Sequence, residues 1–271
     1  MRTTSFYVGT ALILLVFLAP AALAQKENDD DVIRNFVSTR DGVVTHHSKS
    51  KSQDQPRPAR PVGPIGLGCT LFKRGPGETP VRVDTRREFH GGDAVRFMIE
   101  SNITGYLYVF HVENNGPAKM LFPDARLQDG NNLVQAHVPR EIPSSREGDP
   151  EFRWFHFDQT VAIERFYLFV TRERLPNVLT DEQLVTFCRD HSEGCPWRPS
   201  ATQWEHLLAE ADTAARESQS RKFGQAQTPV ERGQIRRDVG LPPGAPHPAK
   251  VKMNASPQAS KLMMNIDLIH K

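Results

Sequence analysis

The stretch Gly92–Pro123, GDAVRFMIESNITGYLYVFHVENNGPAKMLFP, constrains the fold of this chain more than any other. It reads as three consecutive β-strands punctuated by Asn/Gly turns. Within it, Tyr106 to Val112 is the longest aromatic and β-branched run outside the N-terminal apolar segment. A run this apolar belongs to a strand buried on both faces or nearly so.

Period-two alternation extends this pattern in both directions. Leu67 to Lys73 reads as a strand, and Gly75-Pro76-Gly77-Glu78 turns it into Pro80 to Val83 as a hairpin. In Ala94 to Glu100, Val95, Phe97 and Ile99 point one way and Arg96, Met98 and Glu100 the other, which predicts one core face and one wet face. Leu133 to Val138, Phe152 to Phe157 and Ala162 to Thr171 continue the series, with Pro139 and Pro143 marking an end or an edge position. At least seven strands in about 105 residues is the signature of a sandwich or barrel.

After Pro176 the pattern turns helical. Thr180 is a candidate N-cap for a helix burying Leu184, Val185 and Cys188; Ser200 with Gln203 opens a second helix expected to run to about Ser218; and Thr228-Pro229 opens a third, closed by Gly240-Leu241-Pro242-Pro243. Leu262, Met264, Ile266 and Leu268 alternate with Met263, Asn265, Asp267 and Ile269 in a terminal strand, and the core sheet is its economical partner.

The N-terminus speaks for the compartment. Arg2, the apolar segment Phe6 to Ala19 and Ala22-Leu23-Ala24 before Gln25 form the three parts of a secretory signal peptide over residues 1–24. A retained anchor is the alternative, disfavoured by the short run and by Pro20. No second apolar run of that length follows, so no transmembrane segment is expected in the mature chain, and Gln rather than Cys after the cleavage site argues against a lipoprotein. Of three cysteines, Cys188 and Cys195 lie close enough in FCRDHSEGCPW to form a disulfide, while Cys69 fits a buried strand position. A zinc site at Cys188, His191 and Cys195 is the sharper reading, but it lacks a fourth ligand.

Residues 25–64 read as a disordered arm on a Pro-rich tether, THHSKSKSQDQPRPARPVGPIG. The apolar positions Val32, Ile33, Phe36 and Val37 behind Asp29, Asp30 and Asp31 have helical spacing. They either dock on another protein or add an element to their own domain. Residues 65–215 carry 16 basic and 22 acidic groups, and residues 216–271 carry ten and four. A basic tail beside an acidic core folds back on that core more readily than it binds nucleic acid, because no Lys/Arg stripe interleaved with aromatics is present.

Gly92-Asp93-Ala94-Val95-Arg96-Phe97, Glu100-Ser101-Asn102, GYLYVFHVENNGPAKMLFPDARL, VPREIPSS and FYLFVTRE, in this order and spacing, resemble the domain-of-unknown-function 4384 family over roughly residues 67 to 175. The resemblance implies a bacterial all-β domain found alone behind a signal peptide or appended to caspase-like peptidases or protein kinases. It carries over no catalytic residues. Cys69 stands where a bulky aromatic is expected of the family.

The chain contains no H-E-x-x-H, G-x-S-x-G, Walker or G-x-G-x-x-G motif. The pairs His111/Glu113 and His156/Asp158 could do acid/base work only if they met in a cleft. Among the aromatic residues Trp154 is the candidate for an exposed binding platform, and Asp124 sits in an oxygen-rich loop beside it in the expected ligand site. No cofactor or metal is implied.

The expected fold is mainly β: an immunoglobulin-like or related antiparallel sandwich over 65–175, with a C-terminal helical cap and returning strand over 176–271. The expected function is a non-enzymatic, periplasmic or secreted binding or assembly module that recruits an envelope protein through its N-terminal arm or a sheet edge. The alternatives are a glycan or small-ligand-binding sandwich and, last, an enzyme with an unrecognised site.

Overall fold

The computed structural model describes residues 31–40, 63–126, 128–191, 195–209 and 215–271. The signal peptide expected over residues 1–24, its expected cleavage site at Ala24 and most of the tether lie outside the described residues.

Two sheets face each other. The first has the order β11 (Arg216–Gln219), β12 (Lys250–Asn254), β1 (Ile65–Arg74), β4 (Ala94–Ser101), β8 (Arg140–Ile142), with β2 (Pro80–Arg82) on β1 and β9 (Phe155–His156) on β4. The second has the order β3 (Glu88–Phe89), β13 (Lys261–His270), β10 (Ala162–Thr171), β5 (Gly105–Glu113), β6 (Lys119–Phe122), with β7 (Leu133–Val134) on β5. Every pairing is antiparallel except the short β13 to β3 contact. This is an antiparallel β-sandwich.

The alternation read from sequence supplies its core. Leu67, Cys69 and Leu71 of β1, Val95, Phe97 and Ile99 of β4, Phe166, Leu168 and Val170 of β10, and Leu262, Met264, Ile266 and Leu268 of β13 form one buried cluster between the sheets. Burying each large side chain of this kind stabilises the fold by about 1.5–3 kcal/mol. The terminal strand pairs with β10 along its full length, from Ala162 opposite His270 to Thr171 opposite Lys261.

Both outer faces are also covered. Helices α2 (Asp181–Asp190) and α3 (Ala201–Ala209) lie over the second sheet, where Tyr108, Phe110 and Phe169 meet Leu184, Trp197 and Leu207. Over the first sheet, α4 (Pro229–Arg237) packs Ile235 against Phe72 and Met98. The expected wet face of β4 is therefore dry, and all eight of its residues are buried. A period-two pattern of apolar and polar residues reports which side chains face apart, and here a second layer covers the polar set.

Other boundaries shift for similar reasons. The second helix, described over Ala201–Ala209, does not run to Ser218, because Arg216–Gln219 pairs as β11 with β12. Of the strand expected over 133–138, only Leu133–Val134 pairs. The third helix begins as expected: Thr228 and Glu231 form a reciprocal capping box that satisfies the first backbone N–H groups.

Residues 25–64 are not wholly an arm. Residues 31–38 form helix α1, whose Val32, Ile33 and Phe36 are buried against Val251 of β12. Phe36 lies on two strand glycines: a Cβ at Gly66 would come within 2.9 Å of its ring and one at Gly68 within 3.1 Å. Glycines at alternate positions leave a groove in the sheet surface for the ring. The turn after α1 then carries Arg40, fully buried, into a network. Its Nε and Nη2 donate to the Glu100 carboxylate at 2.8 and 2.6 Å, and its Nη1 donates to Ala245 O at 3.1 Å. His137 Nδ1 lies 2.7 Å from the same carboxylate, and its Nε2 lies 2.8 Å from Thr39 Oγ1.

Candidate functional site

On the side of the sandwich where β6 ends one sheet and β8 ends the other, a groove of about 410 Å³ opens between their edges. Its walls follow from local sequence. Leu121 and Phe122 of β6 lead into Pro123, Ile142 of β8 leads into Pro143, and Cys195 leads into Pro196 and Trp197; Phe152 and Trp154 enter from the segment before β9, Phe155 from β9 itself, and Leu184 from α2. The three X-Pro bonds at positions 123, 143 and 196 are cis. Proline removes an N–H from each of these turns, which leaves the wall apolar.

The two residues expected at a ligand site, Trp154 and Asp124, both line this groove, and neither stands as expected. Trp154 is 4% exposed, with the Arg96 guanidinium over its ring at 4.1 Å, so it forms a wall rather than an open stacking platform. The exposed aromatic is Phe152, at 48%. Asp124 accepts from the Arg126 backbone N–H at 2.9 Å and from its guanidinium at 3.0 and 2.6 Å. This pairing raises the Arg126 pKa and aims the guanidinium over Phe152, 5.1 Å from the ring centroid. Asp124, Arg126 and Phe152 thus make one polar and aromatic rim. Alternation could not identify Phe152 or Trp197; the only sequence signal was the proline after each neighbouring strand.

The partner-binding candidates lie elsewhere. Val32, Ile33 and Phe36 are buried and Val37 is half-buried on the protein's own sheet, so this cluster presents little apolar surface to another chain.

The two acid/base pairs do meet in a cleft. His111, Glu113, His156 and Asp158 line a cavity of about 210 Å³ together with Lys119 and Glu164. His111 spends its Nε2 on the Glu164 carboxylate, and its Nδ1 is buried with no partner. Neither ring nitrogen of His111 is thus open to solvent. Cys188 and Cys195 are joined in a disulfide, which removes both thiolates from the three-residue zinc reading. Burial pushes the Cys69 thiol up to about 12. Among the described residues no group of three His, Cys, Asp or Glu is arranged to hold a metal, and no helix is long and apolar enough to cross a membrane.

Residues 88–174 match the model of a family described as a domain of unknown function, DUF4384. The chain carries a DUF4384 domain. The matched segment runs from β3 through β10 and supplies most of the groove, leaving Leu184 and residues 195–197 to come from the helical region. β1 and β13 lie outside the DUF4384 match yet complete both of its sheets. No curated protein and no solved structure matches the chain.

Proposed function

We propose that this chain is an exported, non-enzymatic binding module of the bacterial envelope, and that the groove between β6 and β8 takes an extended segment of a partner protein. The observation that carries the reading is the groove's position: an apolar trough bounded on each side by the terminal strand of a sheet. Terminal strands offer backbone donors and acceptors to an added extended chain, while pockets between them select its side chains. The protein already uses this edge in that way, since Met120 donates its backbone N–H to Trp197 O at 2.9 Å. The signal-peptide pattern of residues 1–24 and the Cys188 to Cys195 disulfide support export to an oxidising compartment. This reading keeps the sheet edge as the recruiting surface and drops the N-terminal cluster, which is buried on its own domain.

A second reading, a glycan or other small ligand, is favoured by the groove's volume, which falls in the range of roughly 300–1,000 Å³ typical of small-molecule sites. Panning short random peptides on the exported chain, with Leu121→Arg as counter-target, separates the two. Leu121 is half-buried on the groove wall, so the arginine closes the trough without emptying the core. Enrichment of apolar extended peptides that bind the wild type and not the variant is the expected result. Glycan-array binding lost in the variant, without peptide enrichment, would replace the first reading by the second. Binding of neither class would overturn both.

A further inference from the structure

We propose that a second cavity, on the outer face of the first sheet, binds a phosphate-class anion through Arg96, Arg153, Arg232 and Arg236. The cavity has a volume of about 520 Å³ and lies between β4, β8, the segment around Arg153 and helix α4. Trp154 and Glu141 line both this cavity and the groove between β6 and β8, and the inference does not depend on what that groove binds.

The charges at this cavity do not balance. Five arginines line it against two glutamates, Glu78 and Glu141. Glu78 faces Arg74 at 3.6 Å, and Arg146 is paired with Asp238 at 3.2 Å. Among the described residues no carboxylate forms an ion pair with Arg153, Arg232 or Arg236. Backbone carbonyls orient two of them without neutralising them: Arg153 donates to Glu147 O at 2.7 Å and Gly148 O at 3.2 Å, and Arg232 donates to Gln227 O. Arg232 and Arg236 stand one helical turn apart on α4, so they share a face.

At the base of the cavity lies an under-satisfied guanidinium. Arg96 is 4% exposed. Its Nη1 reaches Arg153 O at 3.4 Å, its Nε has no partner, and the nearest Glu141 oxygen lies 3.6 Å away, beyond hydrogen-bonding range. That oxygen accepts instead from Gln227 Nε2 at 2.8 Å, and the other Glu141 oxygen is buried without a partner. Burial lowers the Arg96 pKa, the direction expected of a charge that lacks a full counter-charge. Buried arginine is costly unless its donors are used. Guanidinium forks lining one cavity suit a tetrahedral oxyanion, which can accept from more than one of them in bidentate geometry.

The test is calorimetric titration of the exported chain with inorganic phosphate at constant ionic strength, with chloride as the control. A parallel arm uses vesicles of phosphatidylcholine with and without phosphatidylglycerol. Saturable phosphate binding is expected. Arg232→Gln and Arg236→Gln, both exposed and tolerable to the fold, should each weaken it about tenfold, and Arg221→Gln, outside the cavity, should leave it unchanged. Phosphate binding without vesicle binding would identify a soluble phosphate compound as the ligand class; phosphatidylglycerol-dependent vesicle binding competed by phosphate would identify a headgroup. Phosphate heats no different from chloride, or binding unaltered in both α4 variants, would overturn the proposal.

Discussion

Two buried arginine–glutamate pairs meet the outer face of β4, at Arg96 and at Glu100 on either side of Met98, and they are opposite in character. At Glu100 the carboxylate receives two short bonds from Arg40 and one from His137, and Arg40 places its remaining donors on backbone carbonyls. At Arg96 the ion pair with Glu141 is 3.6 Å long, and each partner keeps a buried polar atom without a bond. The first arrangement is closed and leaves nothing for a ligand. The second lies on a cavity with three further arginines that, among the described residues, form no ion pair with a carboxylate. The contrast teaches that burial of a charged pair does not itself reveal its role. Complete satisfaction marks a clamp, here fastening α1 to the sandwich, and incomplete satisfaction beside a cavity marks a place where something binds.

The comparison breaks first at Glu100. Glu100→Ala leaves Arg40 buried with only backbone acceptors, and a loss of about 3–5 kcal/mol is expected from urea unfolding; a loss below about 1 kcal/mol would show that the network is not a clamp. The same clamp can be opened from its floor. A Cβ at Gly68 would stand 2.5 Å from the Pro248 ring and 3.1 Å from Phe36, so Gly68→Ala should cost about 1–3 kcal/mol. Gly63→Ala, where nothing lies within 4 Å, should be near neutral by the same assay.

On the core side of the strand, Cys69 faces Ile99 across the pairing, where no charge is tolerated. Its thiol titrates near 9.0 when exposed and is pushed up to about 12 by burial. Between those values the unfolded chain has given up the proton and the folded chain keeps it, so stability falls as pH rises. Cys69→Ala should flatten that alkaline slope by at most about 1.4 kcal/mol per pH unit, read from unfolding midpoints at stepped pH. The smallest effect is expected at the other pair. Arg96→Met with Glu141→Gln keeps the hydrocarbon over Trp154 and the bond to Gln227, and should change stability by about 1 kcal/mol or less.

Much of the sandwich was legible in the sequence because its core obeys one rule. Val95, Phe97 and Ile99, or Leu262, Met264, Ile266 and Leu268, need only alternate to declare a buried face, and a terminal strand needs a partner, for which the core sheet is the economical choice. The outer layer was illegible because it depends on partners far along the chain. Arg40 and Glu100 are 60 residues apart, and Arg40 and Ala245 are 205 apart. The signal for α1 was nevertheless present in Ile65-Gly66-Leu67-Gly68, since glycine at alternate strand positions announces a close neighbour. At the groove, Trp154 and Asp124 both line the wall, but not as an open platform and a free loop carboxylate. Arg96 covers the indole, and Arg126 carries the exposed contact to Phe152. No local pattern distinguishes a tryptophan under an arginine from one open to solvent.

The most direct test of the difference between the two pairs is the phosphate-induced shift in thermal unfolding of three proteins: wild type, Glu100→Ala, and Arg96→Met with Glu141→Gln. A ligand at a hundredfold excess over its Kd stabilises by about 2.7 kcal/mol. Wild type should show that rise, the double variant should unfold at nearly the wild-type temperature in buffer and show no rise, and Glu100→Ala should unfold far lower. A double variant that keeps the wild-type rise, or that collapses in buffer as Glu100→Ala does, would contradict the assignment of clamp to one pair and binding site to the other.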